Sequence, residues 1–313
     1  MRVWLVFALI LLASCSTQRL KKEQAEWLGK FGTIAPPGTI AVNDSLYYDK
    51  AEASNEYWLE YIQWQDAVFQ FGNREYRAPL PDTTVWCKGA LCDSSMVLHY
   101  LRHPAYREYP VVGVTYEKAL AYSKWRSDRV MEVFLIKAGV IPFDQDQSYE
   151  DHFTIERYYA TDSLKAYHHL PYPSYDLPSP SEWLMATVLS DSLAKLNLKK
   201  CRLRMSPFRG ADWAYCEELV REGSFIINSK EESARRPDLT VPCDCFCCHE
   251  PLFWHLRGNV AELCKDSTLV FGGGWTDPLD SIHLDQPFPH YVPNAATGFR
   301  NVCRWRNWDG VRH

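Results

Sequence analysis

Apolar residues recur at helical spacing in three stretches of the chain. In each stretch a serine or threonine precedes the first apolar position, where its side chain can accept a hydrogen bond from the first turn of a helix. These predicted N-cap residues are Ser54, Thr115 and Ser179. The apolar faces that follow the first two caps are Trp58, Tyr61 and Ile62, and then Tyr116, Ala119, Leu120 and Ser123, with Gly139 as the predicted helix end. The third, Ser179, has Glu182 three positions later, so the pair predicts a capping box.

Short extended runs separate the predicted helices. Examples are GTIAV from residue 38, YPVVGV from residue 109 and STLVFGGGW from residue 267. They are joined by stretches rich in proline, glycine and aspartate, which favours an α+β fold with compact sheets, little regular structure and long loops. Residues 141–175 show no clear period, and we interpret them as an insertion on the surface.

The N-terminal pattern predicts export and lipidation. Arg2 precedes an uncharged apolar run from Val3 to Ala13 that is too short to span a bilayer, which is typical of a signal peptide. The run ends in LASC, which resembles the lipobox of bacterial lipoproteins, so Cys15 is the predicted lipidation site. The sequence therefore predicts a signal peptide at 1–14, a polar lipidated tether at 15–30 and a domain at 31–313.

Composition narrows the classes of partner. The chain is 46% hydrophobic and 14% aromatic, so it can form a substantial core and is not a disordered chain. Its net charge of −5 is spread out without a basic stripe, which argues against nucleic acid as a partner. The expected contacts are the membrane, through the N-terminal lipid, and other envelope proteins.

The cysteines are the most distinctive residues of the domain. Of the eleven in the chain, removing Cys15 leaves ten, an even number in a protein expected to fold where disulfides persist. The disulfide candidates are Cys87, Cys92, Cys201, Cys216, Cys243, Cys245, Cys247, Cys248, Cys264 and Cys303. A soft-metal thiolate site, free thiols and redox chemistry in the run PCDCFCCHEP stay open as alternatives, although this spacing departs from that of structural zinc sites. Connectivity cannot be deduced from the sequence.

Several familiar catalytic patterns are incomplete. His249, Glu250 and His255 lack the spacing of a zinc-protease helix, because Phe253 stands where the second histidine belongs. The run Gly272 to Gly274 lacks the lysine of a phosphate-binding loop and predicts a tight crossing of backbones instead. We therefore predict no catalytic residue from the sequence alone.

Separated stretches, in order, resemble the formylglycine-generating, sulfatase-modifying-factor family. They are LYYDKAEASNEYWLEYIQW from residue 46, YPVVGVTYEKALAYSKW from 109, YDLPSPSEWLMAT from 175, LRGNVAELCKDSTLVFGGGWTDP from 256 and TGFRNV from 297. The resemblance implies a C-type-lectin-like fold. Within the family, LPDTTVWCKG and YLRHPAYREYPVVGVTYEKA are most similar to gliding-motility and type IX secretion lipoproteins of the Bacteroidota.

The resemblance also bears on chemistry. The family's enzymes bind copper with two cysteines in the segment after the glycine-rich strand, where a thiolate pair holds soft Cu(I). Here no cysteine lies between Gly274 and Arg300. A family calcium site implies Gly258, Val260 and Glu262 as oxygen ligands. The alternative is that Glu262 is a buried carboxylate paired with an arginine such as Arg300.

These observations favour one hypothesis over two others. We expect a non-catalytic, lipid-anchored scaffold or interaction protein of an outer-membrane assembly, in gliding motility or type IX secretion, at the periplasmic face or the cell surface. The first alternative is a metal-dependent oxidase of the same superfamily with an altered active site. The second is a protein that binds a glycan or another small ligand.

Overall fold

The structure is a computed structural model. It describes residues 35–69, 79–88, 91–190, 240–244, 253–289 and 292–312, together with Lys22, Glu26, Trp27 and Gly29. Among these residues no helix is both long enough and apolar enough to cross a bilayer.

The first four-stranded sheet pairs strands from the N-terminal and C-terminal parts of the described residues. Its strands are β1 (Thr39–Ala41), β2 (Tyr47–Asp49), β5 (Tyr172–Asp176) and β10 (Val302–Arg306), in the order β1-β2-β10-β5 and all antiparallel. Because β10 pairs with both β2 and β5, the C-terminal strand holds the early and middle parts of the fold together. Cys303 in β10 lies opposite Tyr47 and Tyr175.

A second sheet carries the glycine-rich segments. It contains β6 (Ala261–Leu263), β7 (Leu269–Phe271), β8 (Phe288–Pro289) and β9 (Thr297–Gly298) in the order β8-β7-β6-β9, with β6 and β9 parallel. A third sheet has two antiparallel strands, β3 (Cys87–Lys88) and β4 (Leu91–Cys92).

The three helices predicted after Ser54, Thr115 and Ser179 are present, together with two short helices that were not predicted. They are α1 (Asn55–Phe69), α2 (Ser94–His99), α3 (Tyr116–Lys137) and α4 (Ile155–Ala160), and a further helix is described over residues 180–190. The Oγ of Ser54 accepts from the Tyr57 amide at 3.3 Å, and that of Thr115 from the Lys118 amide at 3.3 Å. Both predicted caps are confirmed. Gly139, at φ 70°, follows the end of α3 as predicted.

The predicted capping box is also confirmed. The Ser179 amide donates to Glu182 Oε2 at 2.8 Å, and the Glu182 amide donates to Ser179 Oγ at 3.3 Å. Glu182 also forms an ion pair with Arg304 of β10. The same glutamate thus stabilises the start of a helix and ties it to the first sheet.

Aromatic packing builds the centre of the molecule. Trp58 stacks on Tyr122 with ring centroids 5.3 Å apart and meets Phe299 edge-on at 5.9 Å. All three rings are buried, so α1 and α3 are fixed against the residue that directly follows β9. Burying an aromatic side chain contributes about 1.5–3 kcal/mol.

The interpretation of residues 141–175 as a surface insertion is wrong for its second half. Residues 142–151 are largely exposed, but α4 and β5 lie beyond them, and Ile155, Tyr158, Tyr159 and Tyr172 are buried in one core cluster. Tyr159 also stacks on Trp308 with centroids 4.6 Å apart. A six-residue helix is too short to show a period, which explains the error.

The predicted tether at 15–30 is also corrected at one position. Trp27 is 4% exposed and packs in the same cluster as Met131 and Leu135 of α3. Its ring is a large apolar surface within an otherwise charged stretch, so burial outweighs the polarity of its neighbours.

Candidate functional site

The segment around Gly258 to Glu262 lies on a buried network of charged and polar side chains. At its centre, Arg300 Nε donates to Glu262 Oε1 at 2.8 Å and to Oε2 at 2.7 Å. Neither side chain is exposed. Arg300 also donates to the carbonyl of Trp254 at 2.7 Å, so the guanidinium joins β6 to the loop before it. Burial raises the pKa of Glu262, and Arg300 opposes that rise.

A second carboxyl, Glu52, lies in the same network. Asn259 Nδ2 donates to Glu52 Oε1 at 3.0 Å, across 207 positions of sequence. Asn259 has φ 60°, and its Oδ1 accepts from the Val241 amide at 2.9 Å. Burial raises the pKa of Glu52 to about 8, so this carboxyl is protonated near neutral pH.

A second ion pair lies beside this network, where Arg300 also donates to the Asp49 carbonyl at 3.4 Å. Arg126 of α3 donates to both oxygens of Asp49, at 2.6 and 2.9 Å, and the Asn301 amide donates to Asp49 Oδ2 at 2.9 Å. Asn301 Nδ2 in turn donates to Ser123 Oγ at 2.7 Å. The bidentate geometry fixes α3 against the end of β2.

Of the three calcium ligands that the resemblance implies, the carboxylate of Glu262 does not fit a cation site. Both oxygens of Glu262 face a guanidinium, whose positive charge opposes a divalent cation at the same place. Gly258, at φ 78°, donates its amide to the Gly272 carbonyl at 2.9 Å, and Val260 is buried in an apolar cluster. The alternative prediction, that Glu262 is a buried carboxylate paired with Arg300, is confirmed.

The segment between Gly274 and Arg300 does not fit a copper centre. It contains no cysteine. Throughout the described parts of the chain, no three His, Cys, Asp or Glu side chains converge as metal ligands would. Soft Cu(I) favours thiolate and thioether ligands. We therefore derive no copper chemistry for this segment.

The glycine run before this segment is a tight crossing of backbones, as the sequence predicts. Gly272 has φ 83°, and a Cβ there would lie 2.6 Å from the Leu256 carbonyl oxygen. At Gly274 a Cβ would lie 2.6 Å from the Ala296 carbonyl oxygen. Contacts this close exclude any side chain without movement of the backbone.

Part of the disulfide prediction is confirmed and part is corrected. Cys87 and Cys92 are bonded across the β3–β4 hairpin. Cys264 and Cys303 are instead free thiols with no exposure. Each packs inside an apolar core cluster, and burial raises the pKa of both thiols. Cys243 is buried, and its amide donates to the Glu108 carbonyl at 2.8 Å.

The remaining predicted positions lie outside the described residues. They are Cys15, Cys201, Cys216, Cys245, Cys247 and Cys248. Asp49, Glu52, Arg126 and Asn259 were missed by sequence reasoning. The first two lie in the run DKAE, which begins with the last residue of β2, but no local pattern indicates their distant partners.

Comparison with family models decides the relationship. Residues 12–303 match the model of the sulfatase-modifying factor enzyme 1-like domain. The chain belongs to this family. The C-type-lectin-like α+β fold expected from the resemblance is therefore confirmed, with its short sheets, helices and long loops.

No curated protein matches the chain. Among solved structures, the chain is similar to Treponema denticola variable protein 1, with 14% identity, coverage of 83% of this chain and 84% of that one, and a TM-score of 0.34. A similarity this low transfers neither fold nor function.

Proposed function

We propose that this sulfatase-modifying-factor-like protein is a non-catalytic, lipid-anchored scaffold or interaction protein of a bacterial outer-membrane assembly. The proposed setting is gliding motility or type IX secretion. One observation carries the non-catalytic part: the segment from Gly274 to Arg300 has no cysteine with which to bind copper or exchange a disulfide with a substrate.

The buried charges support the same proposal. Glu262 and Arg300 pair with each other, as do Asp49 and Arg126, and both pairs join separate parts of the chain. Groups committed to such pairs stabilise an architecture and are not available to move protons in a reaction. The family fold then serves as a rigid body that presents surfaces to partners.

The predicted lipid anchor supports the membrane part of the proposal. The test is to express the full-length chain in a Gram-negative host beside the Cys15→Ala variant and to separate the membranes. We expect wild-type protein in the outer-membrane fraction with an acylated N-terminal peptide by mass spectrometry. We expect the variant without the acyl group and outside that fraction. Equal, unacylated distribution of both proteins would contradict the anchor.

The non-catalytic part has its own test. The purified protein, incubated with Cu(I), oxygen, a thiol reductant that supplies the remaining two electrons and a cysteine-containing sulfatase-type peptide, should form no formylglycine by mass spectrometry. A copper-loaded formylglycine-generating enzyme serves as the positive control. Catalytic formation of formylglycine by this protein would overturn the proposal.

A further inference from the structure

A cleft of about 440 Å³ opens beside the buried network. It lies between the residues that follow β2 and the two long helices α1 and α3. Asp244 and Trp254 also line it. The volume falls within the range of small-molecule sites.

Aromatic side chains form much of the cleft lining. Tyr57 of α1 is 55% exposed, and Trp125 of α3 and Trp254 line the cleft with it. Arg129 lies over the ring of the nearby Trp64 with its Cζ 4.5 Å from the ring centroid. Rings of this kind supply large, rigid apolar surface against which the C–H face of a sugar ring packs.

Three residues that line the cleft each carry a buried polar atom without a hydrogen-bond partner. These atoms are Glu52 Oε2, Trp125 Nε1 and Arg129 Nε. Glu52 is 2% exposed. An unpaired buried polar atom destabilises the protein, and a ligand that offers hydroxyl groups can both donate to and accept from such atoms.

The charges around the cleft balance. Its acidic residues are Asp49, Glu60 and Asp244, and its basic residues are Lys50, Arg126 and Arg129. Three negative and three positive charges cancel, and Glu52 is neutral because burial raises its pKa to about 8. A cleft without net charge, lined by rings and by unpaired donors, favours a neutral ligand with many hydroxyl groups.

We propose that this cleft binds a neutral saccharide of one or two rings. The proposal does not depend on the scaffold function, because it concerns a small ligand and needs no protein partner. The saccharide packs against the exposed face of Tyr57, and its hydroxyl groups pair with Glu52, Trp125 and Arg129.

The test uses the full-length protein in a detergent that carries no sugar. Calorimetric titrations are made with glucose, galactose, N-acetylglucosamine and maltose, and with charged glucuronic acid and glucosamine. The variants are Tyr57→Ala, which removes an exposed ring from the lining, and Trp125→Phe, which keeps a ring but removes the Nε1 donor. Tyr149→Ala is the matched control, because Tyr149 is 59% exposed and lies outside the cleft.

We expect saturable binding of at least one neutral sugar. Both cleft variants should weaken it at least about three-fold, and the control should leave it unchanged. The proposal is overturned if no neutral sugar binds, if both cleft variants bind as tightly as wild type, or if a charged sugar binds more tightly than every neutral one.

Discussion

Arg300 Nε donates to both oxygens of Glu262, at 2.8 and 2.7 Å, and Arg300 Nη2 donates to Oε1 at 2.5 Å, with neither side chain exposed to solvent. The pair links β6 to the residue that follows β9 by two positions. The same pair engages the Glu262 carboxylate, which is the only carboxylate among the calcium ligands that the family resemblance implies. Its role in this chain is therefore structural.

Removing the charge of Glu262 should destabilise the protein strongly. Glu262→Gln leaves the Arg300 guanidinium buried without a negative partner, and we expect a loss of about 3 kcal/mol in the free energy of unfolding. Chemical denaturation followed by tryptophan fluorescence measures it. The control is Glu150→Gln, at an exposed site, which should change the value little. A loss at Glu262 no larger than at Glu150 would be inconsistent with a paired buried charge.

Glu52 should make stability depend on pH. Its pKa is raised from 4.5 to about 8 in the folded protein, so the unfolded chain releases this proton at lower pH than the folded one does. The contribution of Glu52 to stability is therefore fully present below pH 4.5 and is lost as pH rises toward 8. Each pKa unit corresponds to about 1.4 kcal/mol.

Glu52→Gln tests this dependence, since an amide does not titrate. Other titrating groups remain in both proteins, so the difference between the two stability curves reports Glu52. We expect wild type to lose stability relative to the variant between pH 5 and pH 8. Parallel curves across that interval would show that Glu52 is ionised in the folded protein.

Gly272 should tolerate no side chain. Gly272→Ala places a Cβ at φ 83° and 2.6 Å from a backbone oxygen. Gly139→Ala is a matched control, because Gly139 has φ 70° but a Cβ there meets nothing within 4 Å. Backbone strain costs about 1 kcal/mol in both variants and cancels in the comparison. The overlap with a backbone oxygen occurs only at Gly272, so we expect Gly272→Ala to be at least ~2 kcal/mol more destabilising than the control. Equal losses would mean that the crossing can open without cost.

Cys264 and Cys303 should behave as protected thiols. Both have no exposure, so iodoacetamide should not modify them in the native protein and should modify them after unfolding without reductant. Cys87 and Cys92 should stay unmodified in both conditions until reductant is added. Peptide mass spectrometry distinguishes these positions from the other cysteines. A disulfide that includes Cys264 or Cys303 would contradict the structure.

Local features of the fold were predictable from the sequence, because a few neighbouring residues determine them. The caps at Ser54 and Thr115, the capping box at Ser179 and the glycine crossing at Gly272 depend on contacts within a few positions or on backbone sterics alone. Each was predicted from residue type and spacing.

Contacts distant in sequence were not predictable in the same way. Asn259 Nδ2 donates a hydrogen bond to Glu52 Oε1 across 207 positions of sequence, and no periodic pattern of residues predicts such a pair. The core role of Tyr158 and Tyr159 was missed because α4 has only six residues. The even number of cysteines led to the prediction of a disulfide at Cys303, which is instead a free thiol. A thiol can be buried as a small apolar side chain, and the cysteine count does not reveal this.

The central proposal is that this sulfatase-modifying-factor-like protein is an anchored interaction protein and not an oxidase. The most direct measurement is capture of the tagged, full-length protein from its own membranes in mild detergent, with quantitative mass spectrometry and Cys15→Ala as the control. The account predicts envelope proteins recovered at fixed stoichiometry with wild type and reduced with the variant. Recovery of wild type as a lone monomer would contradict it.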